Sequence, residues 1–302
     1  MSDCWAVPVH PWQRGSGSGS GSTSVSYPRD GTLPFESFRQ VKRATVLIDS
    51  RDRDYAKYPS SSQYVVFLPE TFHNVSSAVL ISAELPSTFY VFSAALGTTS
   101  LKVVVNSVTQ TVTIPDGNYT FATMATALET ALAAAFPAST FDVSFNAATS
   151  KCTVALVGSP GLTVAVDCTA AFKPTGWGLG YYLGFPRGVV TSGTDSVTGT
   201  QVANMNPEMY FVVDIEELNN VSQAATYGDG GSNHKVFAKV PICHSSFQYA
   251  FYDKTLTCNE IRPPRARLDR LSVSIRFHDG TLVDFHGAEH SLTVELACTL
   301  TR

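Results

Sequence analysis

Short segments in which apolar and polar residues alternate recur along most of this 302-residue chain. Alternation places every second side chain on the same face of a β-strand, so it limits the chain to folds built from half-buried strands. The segments are Ala44–Ile48, Tyr64–Pro69, Val75–Leu85, Leu101–Val105, Gln110–Ile114, Phe141–Phe145, Cys152–Val157, Leu162–Val166, Met209–Ile215, Lys235–Val240, Phe247–Phe251, Leu271–Phe277 and Ser291–Leu300. The pattern predicts a mainly β fold, with a jelly-roll-like β-sandwich as the favoured topology.

A small α+β insertion is predicted within residues 98–190. Leu101–Val105 and Gln110–Ile114 flank four residues, which predicts a hairpin with a four-residue connection. The helix that follows has an N-cap at Thr120 and stops before Pro137. Its apolar residues recur at steps of three and four and predict one buried stripe. They are Phe121, Met124, Ala125, Leu128, Leu132 and Phe136.

The insertion divides the predicted sandwich into two parts of the chain. Residues 41–97 and 191–302 are predicted to form the β-sandwich domain, and residues 98–190 the inserted subdomain. Residues 1–40 are predicted to form a flexible, extended N-terminal arm, because a Gly/Ser tract cannot bury enough apolar surface to order itself. Trp5 and Trp12 would be unusual on a free tail. An arm that docks on a neighbouring subunit explains them, and a frayed terminus explains the arm equally well.

The composition indicates which kinds of partner the chain can bind. Charged residues make up 15% of the chain, against about 25% in average proteins, which favours a surface that spends much of its area in contact with other chains. The net charge of −4 gives no overall basic field for nucleic acid. The basic run Arg262–Arg270 is interpreted as a solvated or interfacial turn. No apolar run reaches the roughly 18 residues of a membrane span, and no signal peptide is visible.

Six cysteines are present, and none forms a CxxC pair, which argues against a zinc ribbon. Reduced thiols are the default expectation without a secretion signal. Cys152 and Cys168 lie in neighbouring strand segments, so a disulfide between them in an oxidised particle stays open.

A dense series of alternating charges follows the first strand segment. We call this series the charged ladder; it comprises Asp49, Arg51, Asp52, Arg53, Asp54 and Tyr55. An EF-hand needs acids at positions one, three and five and a glycine at six, whereas these acids fall at one, four and six. Arginines between the acids are expected to neutralise them. The ladder is therefore interpreted as an ion-paired strand connection or an inter-subunit contact, and not as a metal site.

Other candidate chemistry is weak. Asp284, His286, Glu289 and His290 look like a metal-ligand set, but Gly287 and the flanking strands exclude the helical spacing of HExxH sites. The two histidines are expected to be polar residues at a sheet corner. The glycine-rich segments Gly176–Gly180 and Gly228–His234 lack the context of nucleotide-binding loops, and no G-x-S-x-G motif occurs. We therefore predict no catalytic residues, no cofactor and no enzymatic activity.

An ordered set of motifs spanning residues 44–300 carries a family resemblance. The motifs are Ile48–Tyr55 with Tyr58–Pro59, Asn74–Tyr90, Gly117–Thr120, Leu183–Phe185, Glu217–Asn220, Phe237–Lys239 and Phe285–Glu295. Together they resemble the minor capsid proteins of large icosahedral DNA viruses of the chlorovirus and mimivirus type. The N-terminal arm has no counterpart in this resemblance.

The resemblance implies a structural role in the virion, with assembly in the host cytoplasm. Such a protein lies beneath or between capsomers and joins the major capsid protein to other minor capsid proteins or to the inner viral membrane. It implies no nucleic-acid partner and no small-molecule substrate. A vertex (penton) jelly-roll protein is compatible with the same motifs. A carbohydrate-binding host-attachment sandwich is a further alternative, since Trp177, Tyr181 and Tyr182 lie beside glycines and could stack on sugars, although a packed aromatic cluster is the commoner outcome.

Overall fold

The computed structural model describes residues 41–158, 161–169, 178–191, 195–206, 208–219, 224–227, 232–242, 249–252 and 259–299. The predicted N-terminal arm with Trp5 and Trp12 lies outside the described residues, as do Trp177 and most of the glycine-rich segment Gly228–His234. None of the helices in the described part of the chain has the length and hydropathy of a membrane span.

Strands dominate these residues. They are β1 (Val41–Asp49), β2 (Gln63–Pro86), β3 (Ser100–Val105), β4 (Val108–Thr113), β5 (Thr140–Phe145), β6 (Cys152–Val157), β7 (Val164–Asp167), β8 (Val189–Thr191), β9 (Ser196–Thr198), β10 (Tyr210–Ile215), β11 (Ala224–Tyr227), β12 (Ser232–Lys235), β13 (Ala238–Pro241), β14 (Tyr249–Tyr252), β15 (Asn259–Arg276) and β16 (Ser291–Thr299). The helices are α1 (Phe121–Ala135), α2 (Leu179–Tyr182) and a single 3₁₀ turn, Ser50–Asp52.

The largest sheet is antiparallel and has seven strands in the order β1-β16-β2-β15-β10-β13, with β14 also paired to β2. Its strands bury one face, because residues such as Val46, Ile48 and Val294 alternate with exposed or half-buried neighbours. The first and last of the described strands lie side by side, as a Greek-key return requires. The predicted class, mainly β and jelly-roll-like, is confirmed.

Residues 100–198 supply two smaller antiparallel sheets, β4-β3-β7-β8 and β5-β6-β9, and helix α1 packs against β5. Helix α1 begins as the sequence predicts, with a capping box formed by Thr120 and Thr123. Met124, Leu128 and Leu132 form its buried stripe, whereas Phe121 is partly exposed. The domain boundaries proposed from the sequence remain a prediction.

Two strand predictions are wrong. The sequence predicts separate strands on either side of Asn74, but β2 runs unbroken because β15 and β16 pair with it along its length. Asn74 accommodates the continuous strand with a left-handed φ of 53°. The hairpin between β3 and β4 has a two-residue turn in place of four, since Asn106 and Ser107 both have positive φ and Val108 already pairs with Val105.

The basic run Arg262–Arg270 is also not a turn. It lies in β15, where Arg265 pairs with Val75 of β2 and Arg267 pairs with His73. The proline pair falls in a register irregularity before Arg265, where no ladder hydrogen bond is required of it. The local composition predicts a turn, but pairing with β2 holds these residues in an extended strand.

The cysteines of the small sheets are buried and free. Cys152 and Cys168 carry free thiols, as does Cys298 on β16. Burial raises the pKa of the Cys152 thiol to about 12 and that of Cys168 to about 11, so both stay protonated and weakly reactive at neutral pH.

Candidate structural and inter-subunit site

A compact cluster of polar side chains joins the end of β1 to the loop that precedes β16. We call it the polar latch; it comprises Ser50, Arg53, Glu289 and His290. Backbone pairing brings its two halves together, because β1 and β16 run antiparallel and place Asp49 opposite Ser291. The 3₁₀ turn after β1 then brings Ser50 and Arg53 to the residues on the other side of this pair.

Arg53 is the centre of the polar latch. Its side chain is only 3% exposed, and its Nη1 atom lies 2.5 Å from Oε2 of Glu289. The same Nη1 donates to the backbone oxygen of Ser50 at 2.7 Å, and Nε donates to the backbone oxygen of Tyr58 at 3.0 Å. A guanidinium has five N–H donors in a planar fork, so one side chain can bind a carboxylate and several carbonyls at once. Arg53 therefore fixes the course of the whole β1–β2 connection.

Ser50 and His290 complete the latch. The Ser50 hydroxyl donates to Oε2 of Glu289 at 2.5 Å and accepts the backbone N–H of His290 at 2.8 Å. The backbone N–H of Ser50 donates to the backbone oxygen of His290 at 2.9 Å. The His290 ring is buried and places Nε2 2.8 Å from the backbone oxygen of Ser61, which favours the tautomer protonated at Nε2.

Burial and hydrogen bonding act oppositely on the two ionisable partners. Burial alone would raise the pKa of Glu289, but hydrogen bonds from Arg53 and Ser50 outweigh it, and the pKa lies below its ordinary value. Burial lowers the pKa of His290 to about 4, although the hydrogen bond to Ser61 and the nearby carboxylates oppose the shift. At neutral pH the latch therefore holds a carboxylate, a guanidinium and a neutral imidazole.

The rest of the charged ladder is exposed, except for the half-buried Asp49. Arg51, whose side chain is 71% exposed, binds Asp49 through Nη2–Oδ2 at 2.5 Å and Nε–Oδ1 at 2.9 Å. The hydrogen bond from Arg51 lowers the pKa of Asp49. Asp54 accepts the backbone N–H groups of Ala56 and Lys57 and closes a turn.

Tyr55 bridges the exposed and buried parts. Its hydroxyl donates to Oε1 of Glu289 at 3.1 Å, and the Arg53 guanidinium lies 4.1 Å from the centroid of its ring. About half of Tyr55 stays exposed, so the ring forms the outer cover of the latch.

The charged ladder predicted from the sequence contains Arg53 of the polar latch, but the sequence did not predict its ion pair with Glu289. Arg51 neutralises a ladder acid as expected, whereas Arg53 pairs with Glu289, far away in the sequence. Glu289 and His290 belong to the family motif Phe285–Glu295 and to a metal-ligand set that the sequence argues against, but neither signal linked them to Arg53. Among the described residues no three His, Cys, Asp or Glu side chains are placed to hold a metal ion. His286 stacks on Tyr90 with 4.0 Å between ring centroids, apart from the latch.

Tyr181 and Tyr182, which the sequence offers as possible sugar-stacking residues, pack into an aromatic cluster. Tyr182 lies 5.0 Å from Phe92 and 5.4 Å from Tyr181 between ring centroids. Burial raises the pKa of Tyr182, as expected for a phenol inside a packed cluster.

Sequence comparison relates part of this chain to a viral capsid protein. The profile of a family of unknown function (DUF5901) matches residues 34–157, which is less than half of the chain. Penton capsid protein P1 of Paramecium bursaria Chlorella virus 1 is 28% identical over 97 residues, a stretch that spans 30% of this chain and 55% of that protein. The crystal structure of the mavirus penton protein superposes with a TM-score of 0.47 and 12% identity, over 85% of this chain and 99% of that one.

The similarity to the chlorovirus protein supports the viral capsid class that the sequence motifs resemble. It does not single out the minor capsid proteins named by that resemblance. The chain spans about half the length of this curated relative, so the role of the whole protein is taken up as a proposal.

Proposed function

We propose that this chain is a structural capsid protein of an icosahedral virus and that it occupies the fivefold vertices as a penton. The observation that carries the proposal is the 28% identity to a protein named as a penton capsid protein. This favours the vertex alternative over a role in cementing capsomers between vertices.

The architecture suits such a role. In the seven-stranded sheet the first and last described strands of the chain, β1 and β16, pair with each other, and the polar latch fixes the β1–β2 connection at the edge of the sheet. A shell protein acts through its shape and the area that it buries against neighbours, so it requires no convergent acid/base cluster. We propose that the protein works without catalysis, cofactor or metal, and that its partners are adjacent major capsid and minor capsid proteins in the virion. Contact with an inner viral membrane belongs to the same proposal.

The test is to locate the chain in purified virions by quantitative mass spectrometry, lysine cross-linking and antibody labelling in electron micrographs. We expect cross-links from Lys57 or Lys102 to a major capsid protein, with label confined to the vertices. Label spread over the facets would reject the penton role and restore the cementing role. Absence from particles would reject both roles.

A further inference from the structure

A groove of about 670 Å³ with both polar and apolar lining groups lies beside the polar latch, on the outer face of the large sheet. Its floor comes from three neighbouring strands, because Gln63 of β2 pairs with Ser274 of β15, which pairs with Asp214 of β10. The loop Lys57–Ser60 lines one side, and Glu216 and Asn219 also contribute. The volume falls in the range of about 300–1,000 Å³ that is typical of small-molecule sites.

Several groups in the groove are already held in place. The amide nitrogen of Asn219 donates to the Asp214 carboxylate, and its amide oxygen accepts the backbone N–H of Ile215 at 3.2 Å. Nε of Arg276 lies 4.0 Å from Oδ2 of Asp214, and its Nη1 donates to the backbone oxygen of Gly280 at 2.9 Å. Side chains that are held before a ligand arrives lose little conformational entropy on binding.

Hydrogen bonds also hold the side of the groove next to the polar latch, which is formed by Tyr58 and Pro59. The backbone oxygens of Tyr58 and Pro59 accept hydrogen bonds from the buried Arg53 at 3.0 Å and 3.4 Å. Both residues line the groove. The polar latch therefore supports the shape of the groove as well as the strand connection.

The chemistry of the lining selects the class of ligand. Lys57 and Arg276 balance Asp214 and Glu216, so the groove has no excess charge that would favour a phosphate or a polyanion. An apolar ligand would bury the hydroxyl, amide and carboxylate groups without partners. Sugar hydroxyls both donate and accept, so they can pair with carboxylate, amide, hydroxyl and guanidinium groups together.

We propose that this groove is a binding site for a neutral saccharide of one to a few sugar units. The site is distinct from Tyr181 and Tyr182, which pack into the molecule, and it goes beyond the proposed capsid role. The isolated chain should bind sugar whether or not the protein occupies a vertex, so the two proposals can fail separately.

The test is a glycan array of neutral mono- to tetrasaccharides probed with the labelled chain, followed by calorimetry with the free sugar that scores highest. Ser274→Tyr fills the floor from a solvent-facing position, and Thr45→Tyr is its matched control on β1 of the same outer face. Asp214→Asn removes the charge while keeping an oxygen that can accept from Asn219, and the exposed Asp142→Asn on β5 is its control.

We expect Ser274→Tyr and Asp214→Asn to weaken binding by at least about tenfold. Both controls should bind like the unmodified chain, and circular dichroism should show all four variants folded. Absence of any bound saccharide on the array would overturn the proposal, as would binding that Ser274→Tyr leaves unchanged. Cross-links from Lys57 to a neighbouring capsid protein, with no sugar bound by the free chain, would assign the groove to a protein contact and also overturn it.

Discussion

Arg51 and Arg53 belong to one short charged ladder and lie two residues apart, yet their surroundings differ completely. Arg51 is 71% exposed and binds an acid on its own strand connection, whereas Arg53 is 3% exposed and binds an acid that precedes β16. Exposed ion pairs contribute little to stability because water already solvates both partners. Removing one partner of a buried pair leaves an unpaired charge in a desolvated site. The comparison teaches that charge pattern locates polar residues, while burial decides which of them hold the fold together.

Truncating each arginine separately tests whether burial decides its contribution to stability. Arg53→Ala should lower the free energy of unfolding by about 3 kcal/mol, because Glu289 loses its cationic partner and the backbone oxygens of Ser50, Tyr58 and Pro59 lose a donor. Arg51→Ala is the matched control and should unfold at nearly the same urea concentration as the unmodified chain. The measurement is urea denaturation followed by intrinsic fluorescence. Equal midpoints for the two variants would contradict the assigned roles.

Acid should loosen the polar latch before it affects the exposed ion pairs. The pKa of His290 is about 4 in the folded protein and about 6.5 when unfolded, so the unfolded state binds more protons between these values. Stability should therefore fall as pH drops from 6.5 to 4, by on the order of 2–3 kcal/mol. The lowered pKa values of Glu289 and Asp49 add a further loss only below about 4.5, where carboxylates of the unfolded chain become protonated.

The substitution that isolates this effect is His290→Gln, which can still donate to the backbone oxygen of Ser61. Thermal unfolding of this variant should change much less between pH 6.5 and 4 than that of the unmodified chain. His73→Gln, at an exposed position on β2, should leave the pH dependence intact. A His290→Gln variant with the full pH dependence would show that another group carries it.

A smaller effect is expected at Ser50, whose hydroxyl makes two hydrogen bonds within the latch. Ser50→Ala should cost about 1–3 kcal/mol, because the His290 N–H and one Glu289 oxygen lose a partner in a buried site. Ser144→Ala, at an exposed position on β5, is the control and should be nearly neutral. Denaturation midpoints of the two variants check the difference, and a neutral Ser50→Ala would mean that water replaces the hydroxyl.

The smallest effect on the isolated chain is expected from Arg51→Glu, and here assembly is the informative measurement. The ladder was interpreted as a possible inter-subunit contact, and Asp49, Arg51 and Asp52 remain exposed enough to make one. If they do, Arg51→Glu should reduce incorporation into particles without changing the unfolding midpoint of the free chain. Normal incorporation would leave the ladder as a strand connection only.

Elements whose signals are local could be predicted from the sequence. Helix α1 was predicted correctly because its apolar stripe, its cap at Thr120 and its stop at Pro137 all lie within one segment. Strand β2 was predicted as two pieces because Pro69 and Asn74 are locally unfavourable, and only the paired strands β15 and β16 reveal its continuity. The same reasoning applies to the basic run in β15.

Only one side of the ion pair in the candidate site could be picked out from the sequence. Alternating charges identified Arg53, but the opposing Glu289 lies in a loop whose acids and histidines suggested a metal set. No local pattern distinguishes a buried arginine from an exposed one two residues away. Pairing of β1 with β16 makes the difference, and that pairing depends on the tertiary fold.

The position of β16 between β1 and β2 has a consequence for biosynthesis. Every other described strand emerges from the ribosome before β16, so the nascent chain must keep β1 and β2 apart or let them pair wrongly. Until residues 291–299 arrive, both strands present unpaired edges that can recruit neighbouring nascent chains. Insertion of β16 also brings Glu289 to Arg53. The ion pair that stabilises the β1–β2 connection therefore forms only when β16 is in place. Completion of the sheet is thus a late, nonlocal step, because β16 is the last of the described strands to be synthesised.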